Sequence, residues 1–156
     1  MTRVLRADAR FCDGCGMCEL VCSLSKTNTV NPFLARLRVH RSLDPGPTKV
    51  AICRHCTTPL CQQACPVPGA MYVDRKTGAV VIDPKTCIGC LACLDACPFG
   101  AIWVGPDREL LKCDLCGGDP LCVKYCPPRP ENSLPSLPYP RQSCLQFLEF
   151  HRVSRR

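Results

Sequence analysis

Hydrophobic positions along this chain come in short, interrupted groups. Leu37, Val39 and Leu43 alternate with Arg36, Arg38, His40 and Ser42, the period-two pattern of a half-buried strand. Met71–Val73 and Ala79–Ile82 flank the polar stretch Asp74 to Gly78, which predicts a hairpin. Ile102–Val104 before Gly105 and Pro106 repeats the plan, since both stretches run from a cysteine and a proline through Gly-Ala to a short apolar strand, a polar turn and a second apolar segment. Leu145, Leu148 and Phe150 fall near an amphipathic stripe in the closing segment, with the spacing of a tail that docks on a partner. Six prolines between residues 127 and 140 predict an extended arm that cannot be helical. No apolar run approaches the roughly 20 residues needed to cross a bilayer, and the N-terminal MTRVLRADARF has no stretch resembling a signal peptide. A cytoplasmic location is expected.

Composition changes this picture more than patterning does. Seventeen of 156 residues are cysteine, enough to dictate the fold by bridging or metal ligation. Without an export signal, metal ligation is favoured over disulfides. Sixteen of the cysteines form four runs and only Cys144 stands apart. Cys12, Cys15, Cys18 and Cys22 read CxxCxxCxxxC, as do Cys87, Cys90, Cys93 and Cys97. In Cys53, Cys56, Cys61 and Cys65 the middle gap widens to four residues, and in Cys113, Cys116, Cys122 and Cys126 to five. The last gap is three residues in every run.

Three closely spaced cysteines can wrap three irons of a cubane, while the fourth, one helical turn on, points elsewhere and serves a second cluster. This ligand exchange is that of the bacterial two-cluster run CxxCxxCxxxCP, and proline follows the last cysteine at Pro66, Pro98 and Pro127. Ser23 takes that place in the first run. Gly14, Gly16 and Gly89 let the backbone approach inorganic sulfur. A zinc ribbon needs two CxxC knuckles per ion and gives no reason for a constant third and fourth cysteine; a zinc-stabilised binding module is thus the remote alternative. Sixteen thiolates at four per cluster give four 4Fe-4S clusters with no vacant iron, so the clusters carry electrons and the chain is not itself an enzyme; no paired Asp or Glu suggests acid-base chemistry. The formal charge of +7 is offset by about −2 per oxidised cluster and its thiolates, and the basic residues are scattered, which excludes nucleic acid as a partner.

Residues 8 to 128 resemble the four-cluster ferredoxin-type subunits that serve molybdenum and tungsten oxidoreductases, hydrogenases and carbon monoxide dehydrogenases. The resemblance is carried by CRHCTTPLCQQACP, CIGCLACLDACPFGAI and KCDLCGGDPLCVKYCP. It implies nested pairing of the runs. One cluster uses Cys12, Cys15, Cys18 and Cys126; its neighbour uses Cys113, Cys116, Cys122 and Cys22. The inner pair uses Cys53, Cys56, Cys61 with Cys97, and Cys87, Cys90, Cys93 with Cys65. The implied fold is α+β and loop-rich, two nested dicluster ferredoxin-like units with an extended Pro-rich tail. Residues 1–52 with 105–126 form the outer half, 53–104 the inner half, and 127–156 the arm and docking tail. Size and layout are most similar to the small iron-sulfur subunit of a tungsten aldehyde oxidoreductase. That implies electron transfer between a catalytic tungsten or molybdenum subunit and a flavin subunit or ferredoxin, with no membrane insertion. The alternatives are a free-standing polyferredoxin or a subunit of a hydrogenase, formate dehydrogenase or carbon monoxide dehydrogenase.

Five single residues stand out. His55, between two ligands of the second run, is expected to pack or to hydrogen-bond cluster sulfur. Trp103 and Tyr72, at equivalent places in the repeat, are expected to shield a cluster from water. Cys144 is expected to be a small buried hydrophobe, and Ser23 to leave the exchange of ligands intact.

Overall fold

The structure is a computed structural model and describes residues 2–41, 48–127 and 144–150. Among these, every strand pairs in an antiparallel two-stranded sheet. β1 (Thr2–Ala7) pairs with β8 (Leu145–Phe150), β2 (Leu37–His40) with β3 (Lys49–Ile52), β4 (Met71–Val73) with β5 (Val80–Ile82), and β6 (Ile102–Val104) with β7 (Leu110–Lys112). Four α-helices lie between them: α1 (Met17–Thr27), α2 (Leu60–Gln63), α3 (Ala92–Asp95) and α4 (Leu121–Lys124). This is the small α+β architecture that the resemblance implies.

The two expected hairpins form as a repeat. In the first, Tyr72 lies opposite Val81, and in the second Trp103 lies opposite Leu111. The polar turn of the first hairpin is closed by Asp74, whose carboxylate accepts from the amides of Lys76 and Thr77 at 3.2 Å each and from the Thr77 hydroxyl at 2.5 Å. Ala70 and Ala101, from the two Gly-Ala pairs, are 2% and 1% exposed. A larger side chain at either place would overpack a filled interior.

Helix length follows the prolines. α2, α3 and α4 each span four residues and end just before the Cys-Pro step, whereas α1 runs for eleven. Proline disfavours helix at the residue before it and cannot donate to the ladder. Ser23 removes that stop: its hydroxyl donates to Leu20 O at 3.0 Å and accepts from the Asn31 amide at 3.1 Å. α1 packs on α4, and α2 on α3.

β2 confirms the alternation read over residues 36–43, with Leu37 and Val39 buried; Leu43 lies outside the described residues. Together with Leu5, Ile52, Leu115 and Leu145 they form the main core, while Met71, Val80, Cys93 and Ile102 form a second cluster. The closing segment departs from the helical stripe expected there. Residues 145–150 pair as a strand along β1, with Ala7 opposite Leu145 and the Asp8 amide donating to Cys144 O at 2.9 Å. A strand at that place satisfies the backbone groups of β1 that a helix would leave unpaired. Apart from Pro127, the proline-rich arm lies outside the described residues. No helix among the described residues is long and apolar enough to cross a membrane.

Candidate metal centres

Each cysteine run turns at the same point. The residue before the second cysteine has a left-handed backbone in all four: Gly14 (φ 72°), His55 (φ 47°), Gly89 (φ 68°) and Leu115 (φ 59°). At Gly89 no protein atom lies within 4 Å of where a Cβ would sit, so the protein's own contacts call for glycine only through the left-handed backbone. At Gly14 the Arg41 side chain also crosses at 3.4 Å. His55 and Leu115 accept the left-handed turn at a cost of roughly 1–2 kcal/mol each, and both are almost completely buried, which offsets it.

The turns gather thiols from distant parts of the chain. One cavity is walled by Cys12, Cys15, Cys18 and Cys126, with Val39, Val50 and Cys144. Burial pushes the Cys18 thiol up to about 12, reinforced by Glu19 and then by Cys126, Cys12 and Cys15. A second group surrounds Cys122, whose thiol is raised by burial and then by Cys113, Cys22 and Cys116. Cys22 Sγ accepts from the Arg36 amide at 3.2 Å. In a third group Cys56 and Cys61 are both raised, chiefly by burial, and both feel Cys53 and Cys97. In the fourth, Cys65, Cys87, Cys90 and Cys93 share a cavity with Met71, Ile82 and Leu110. Burial pushes Cys93 up to about 11, and Cys61, Cys87 and Cys90 add to it.

These neighbour relations also order the groups. Cys18 is close enough to raise Cys122, Cys53 to raise Cys113, and Cys61 to raise Cys93. The Cys12 cavity thus neighbours the Cys113 group, the Cys113 group neighbours the Cys53 group, and the Cys53 group neighbours the Cys87 cavity. Only Cys15 and Cys90, one in each end group, are exposed; the other cysteines are buried or half-buried.

The surroundings suit anionic sulfur. N–H groups are directed at thiol sulfur by Arg36 on Cys22, by Lys112 Nζ on Cys53 at 3.3 Å, by the His55 amide on Cys53 at 3.5 Å and by the Ala101 amide on Cys97 at 3.5 Å. Such donors stabilise metal-bound thiolate and tune its potential. Among the described residues no three His, Cys, Asp or Glu side chains are gathered as a single ion would need; a four-iron cube is a wider object, so the test of fit is which thiols face which. Four soft sulfur donors in each group, with N–H donors directed at the second and third, fit a 4Fe-4S cluster.

Several supporting residues escape the sequence. Glu19, buried in α1, accepts from the Val39 amide at 2.9 Å and from Arg41 at 3.3 Å, and Arg41 Nε donates to Gly14 O at 2.6 Å. The pair clamps the first turn to β2. Lys112 stands directly before the fourth run, where Phe11, Ile52 and Thr86 precede the other three; that contrast was its one signal. His55 Nδ1 accepts from the Val80 amide at 3.1 Å, and its Nε2 is buried without a partner among the described residues. Trp103 is half-buried beneath the Arg38 guanidinium, 5.0 Å from its ring centre. Tyr72 is 45% exposed, so the equivalent place in the first hairpin gives little shielding. Cys144 is buried as expected, but in the wall of the Cys12 cavity.

Comparison with known proteins agrees with this chemistry. Residues 48–133 match the family model described as a 4Fe-4S dicluster domain. The polyferredoxin-like subunit of aliphatic sulfonate oxidoreductase from Pyrococcus furiosus is 41% identical, over 74% of this chain and 66% of its own length. The beta subunit of NADH-dependent phenylglyoxylate dehydrogenase from Aromatoleum evansii is 33% identical over 77% of this chain and 27% of its own. A subunit of tetrathionate reductase from Salmonella typhimurium is 30% identical over 76% of this chain and 52% of its own. The chain thus spans less than two thirds of each of these relatives. With its thiol-lined turns and this match over more than half its length, the chain belongs to the 4Fe-4S dicluster domain family and is related to the iron-sulfur subunits of oxidoreductases.

Proposed function

We propose that this chain holds four 4Fe-4S clusters and relays electrons, without catalysis of its own, between a catalytic oxidoreductase subunit and a flavin subunit or ferredoxin. The observation that carries the proposal is the succession of four neighbouring thiol groups, each completed by a cysteine from another run, with an exposed cysteine in the first and in the last. Cys12, Cys15, Cys18 and Cys126 hold the first cluster, and Cys113, Cys116, Cys122 and Cys22 the second. Cys53, Cys56, Cys61 and Cys97 hold the third, and Cys87, Cys90, Cys93 and Cys65 the fourth. Bound clusters supply one-electron storage at each station. The protein's part is to fix the spacing, exclude water and direct N–H groups at sulfur.

Cys15 and Cys90 mark the two ports. Beside Cys90, Ile88 is 68% exposed, and beside Cys15, Met17 is 41% exposed. Apolar surface next to a cluster turn suits close approach of a redox partner at each end. The related proteins differ in the substrate in their names but are each named as a subunit, which supports a place beside a catalytic partner. A tungsten or molybdenum oxidoreductase of the aldehyde-oxidising class is the partner proposed, in the cytoplasm.

Anaerobic purification from the native source, with identification of co-purifying subunits, tests the assignment. A complex containing a tungsten or molybdenum subunit is expected. A lone monomer that exchanges electrons with several enzymes would replace the relay with a free-standing polyferredoxin.

A further inference from the structure

Lysine is seldom buried unless an anion meets it, yet Lys112 at the end of β7 is 7% exposed. Its ammonium donates to Cys53 Sγ at 3.3 Å, to Cys113 O at 3.4 Å and to Val80 O. The bonded partners among the described residues are thus one sulfur and two carbonyls, with no carboxylate to balance the charge. Cys53 belongs to the third thiol group and Cys113 to the second, so Lys112 stands at the junction of the two interior stations.

A second buried donor lies on the other side of Val80. The Val80 amide donates to His55 Nδ1, which leaves the proton of a neutral imidazole on Nε2. That N–H is buried and has no partner among the described residues; the acceptor it lacks is of the kind that thiolate or inorganic sulfur supplies. One strand residue therefore holds in place both a cation and an unmatched donor, between two sites that become anionic when loaded.

We propose that Lys112, supported by His55, raises the reduction potential of the cluster held by Cys53, Cys56, Cys61 and Cys97, making an interior station the favoured resting place for an electron. The inference rests on the four-cluster reading. Reduction adds a negative charge, and a fixed cation in a poorly screened interior stabilises the reduced state more than the oxidised one. Lys112 is a positioning residue for charge and is not itself a ligand.

An anaerobic redox titration of the loaded protein, followed by electron paramagnetic resonance with iron counted in each sample, tests this. In Lys112→Met one midpoint should fall while the others move less; Lys112→Arg should keep most of the native value, and His55→Gln should give a smaller fall. All midpoints unmoved in Lys112→Met, or Lys112→Arg falling as far as Lys112→Met, would overturn the proposal. Should Lys112→Met lose iron, Lys112→Gln keeps a donor without the charge: a lowered midpoint supports the proposal and an unchanged one overturns it. A wild-type protein without iron would sink the four-cluster reading itself, whereas full iron with unmoved midpoints sinks only the role of Lys112.

Discussion

Cys126 shares the wall of one cavity with Cys18, although most of the chain separates them. The same interleaving brings Cys22 beside Cys116 and Cys97 beside Cys61. Removing the last cysteine of a run should therefore damage a distant site. Cys22→Ser is expected to remove the signal of the cluster held by Cys113, Cys116 and Cys122 and to leave that of Cys12, Cys15 and Cys18. Paramagnetic resonance of the reduced variant checks this, and loss of the Cys12 cluster alone would contradict the exchange.

Loading should depend on pH in a defined direction. In the metal-free protein burial holds Cys18 and Cys113 up at about 12 and Cys93 at about 11. Those thiols remain protonated well above the ordinary thiol range, and binding as thiolate releases their protons. The loaded state binds fewer protons, so occupancy rises with pH, and the rise continues past the usual thiol pKa of about 8.5 through about 11 towards about 12. Iron retained against a competing chelator across this range measures the effect. A plateau at the ordinary thiol value would show that burial does not govern loading.

Ser23 offers a test of the long first helix. Ser23→Ala removes the acceptor for the Asn31 amide and the donor to Leu20 O, in a site with no exposure. A loss of about 1–2 kcal/mol is expected from the unmatched group, read as a lower thermal midpoint of the loaded protein with unchanged iron content.

At Gly89 the backbone is left-handed and no protein atom crowds a Cβ, so the expected requirement is conformational. Gly89→Ala should cost about 1 kcal/mol by placing a side chain in the left-handed region. Iron content should stay the same. Loss of the fourth cluster would instead mean that the missing side chain is needed for room.

The hairpins, the strand of residues 37–40 and the division of sixteen cysteines into four runs were legible in the sequence, because each rests on local pattern: alternation, turn residues and fixed spacing. The strand pair β1 with β8 was not. Its partners lie at opposite ends of the chain, Arg3 and Arg6 interrupt the apolar positions of the first, and Leu145, Leu148 and Phe150 fit a helical spacing as readily as a strand. The roles of Glu19, Arg41 and Lys112 were hidden for the same reason, since a charged residue reveals its partner only when the chain is folded. Ser23 was visible as a departure from the Cys-Pro pattern, but the extra turns of α1 that follow from it became evident only in three dimensions.

If the sixteen clustered cysteines hold four cubanes, the loaded chain has a fixed iron and sulfide content. Both are determined chemically, as iron and acid-labile sulfide, on anaerobically prepared protein of known concentration. About sixteen of each per chain are expected. A value near eight, with the protein folded, would leave two of the four thiol groups without a cluster and break the relay.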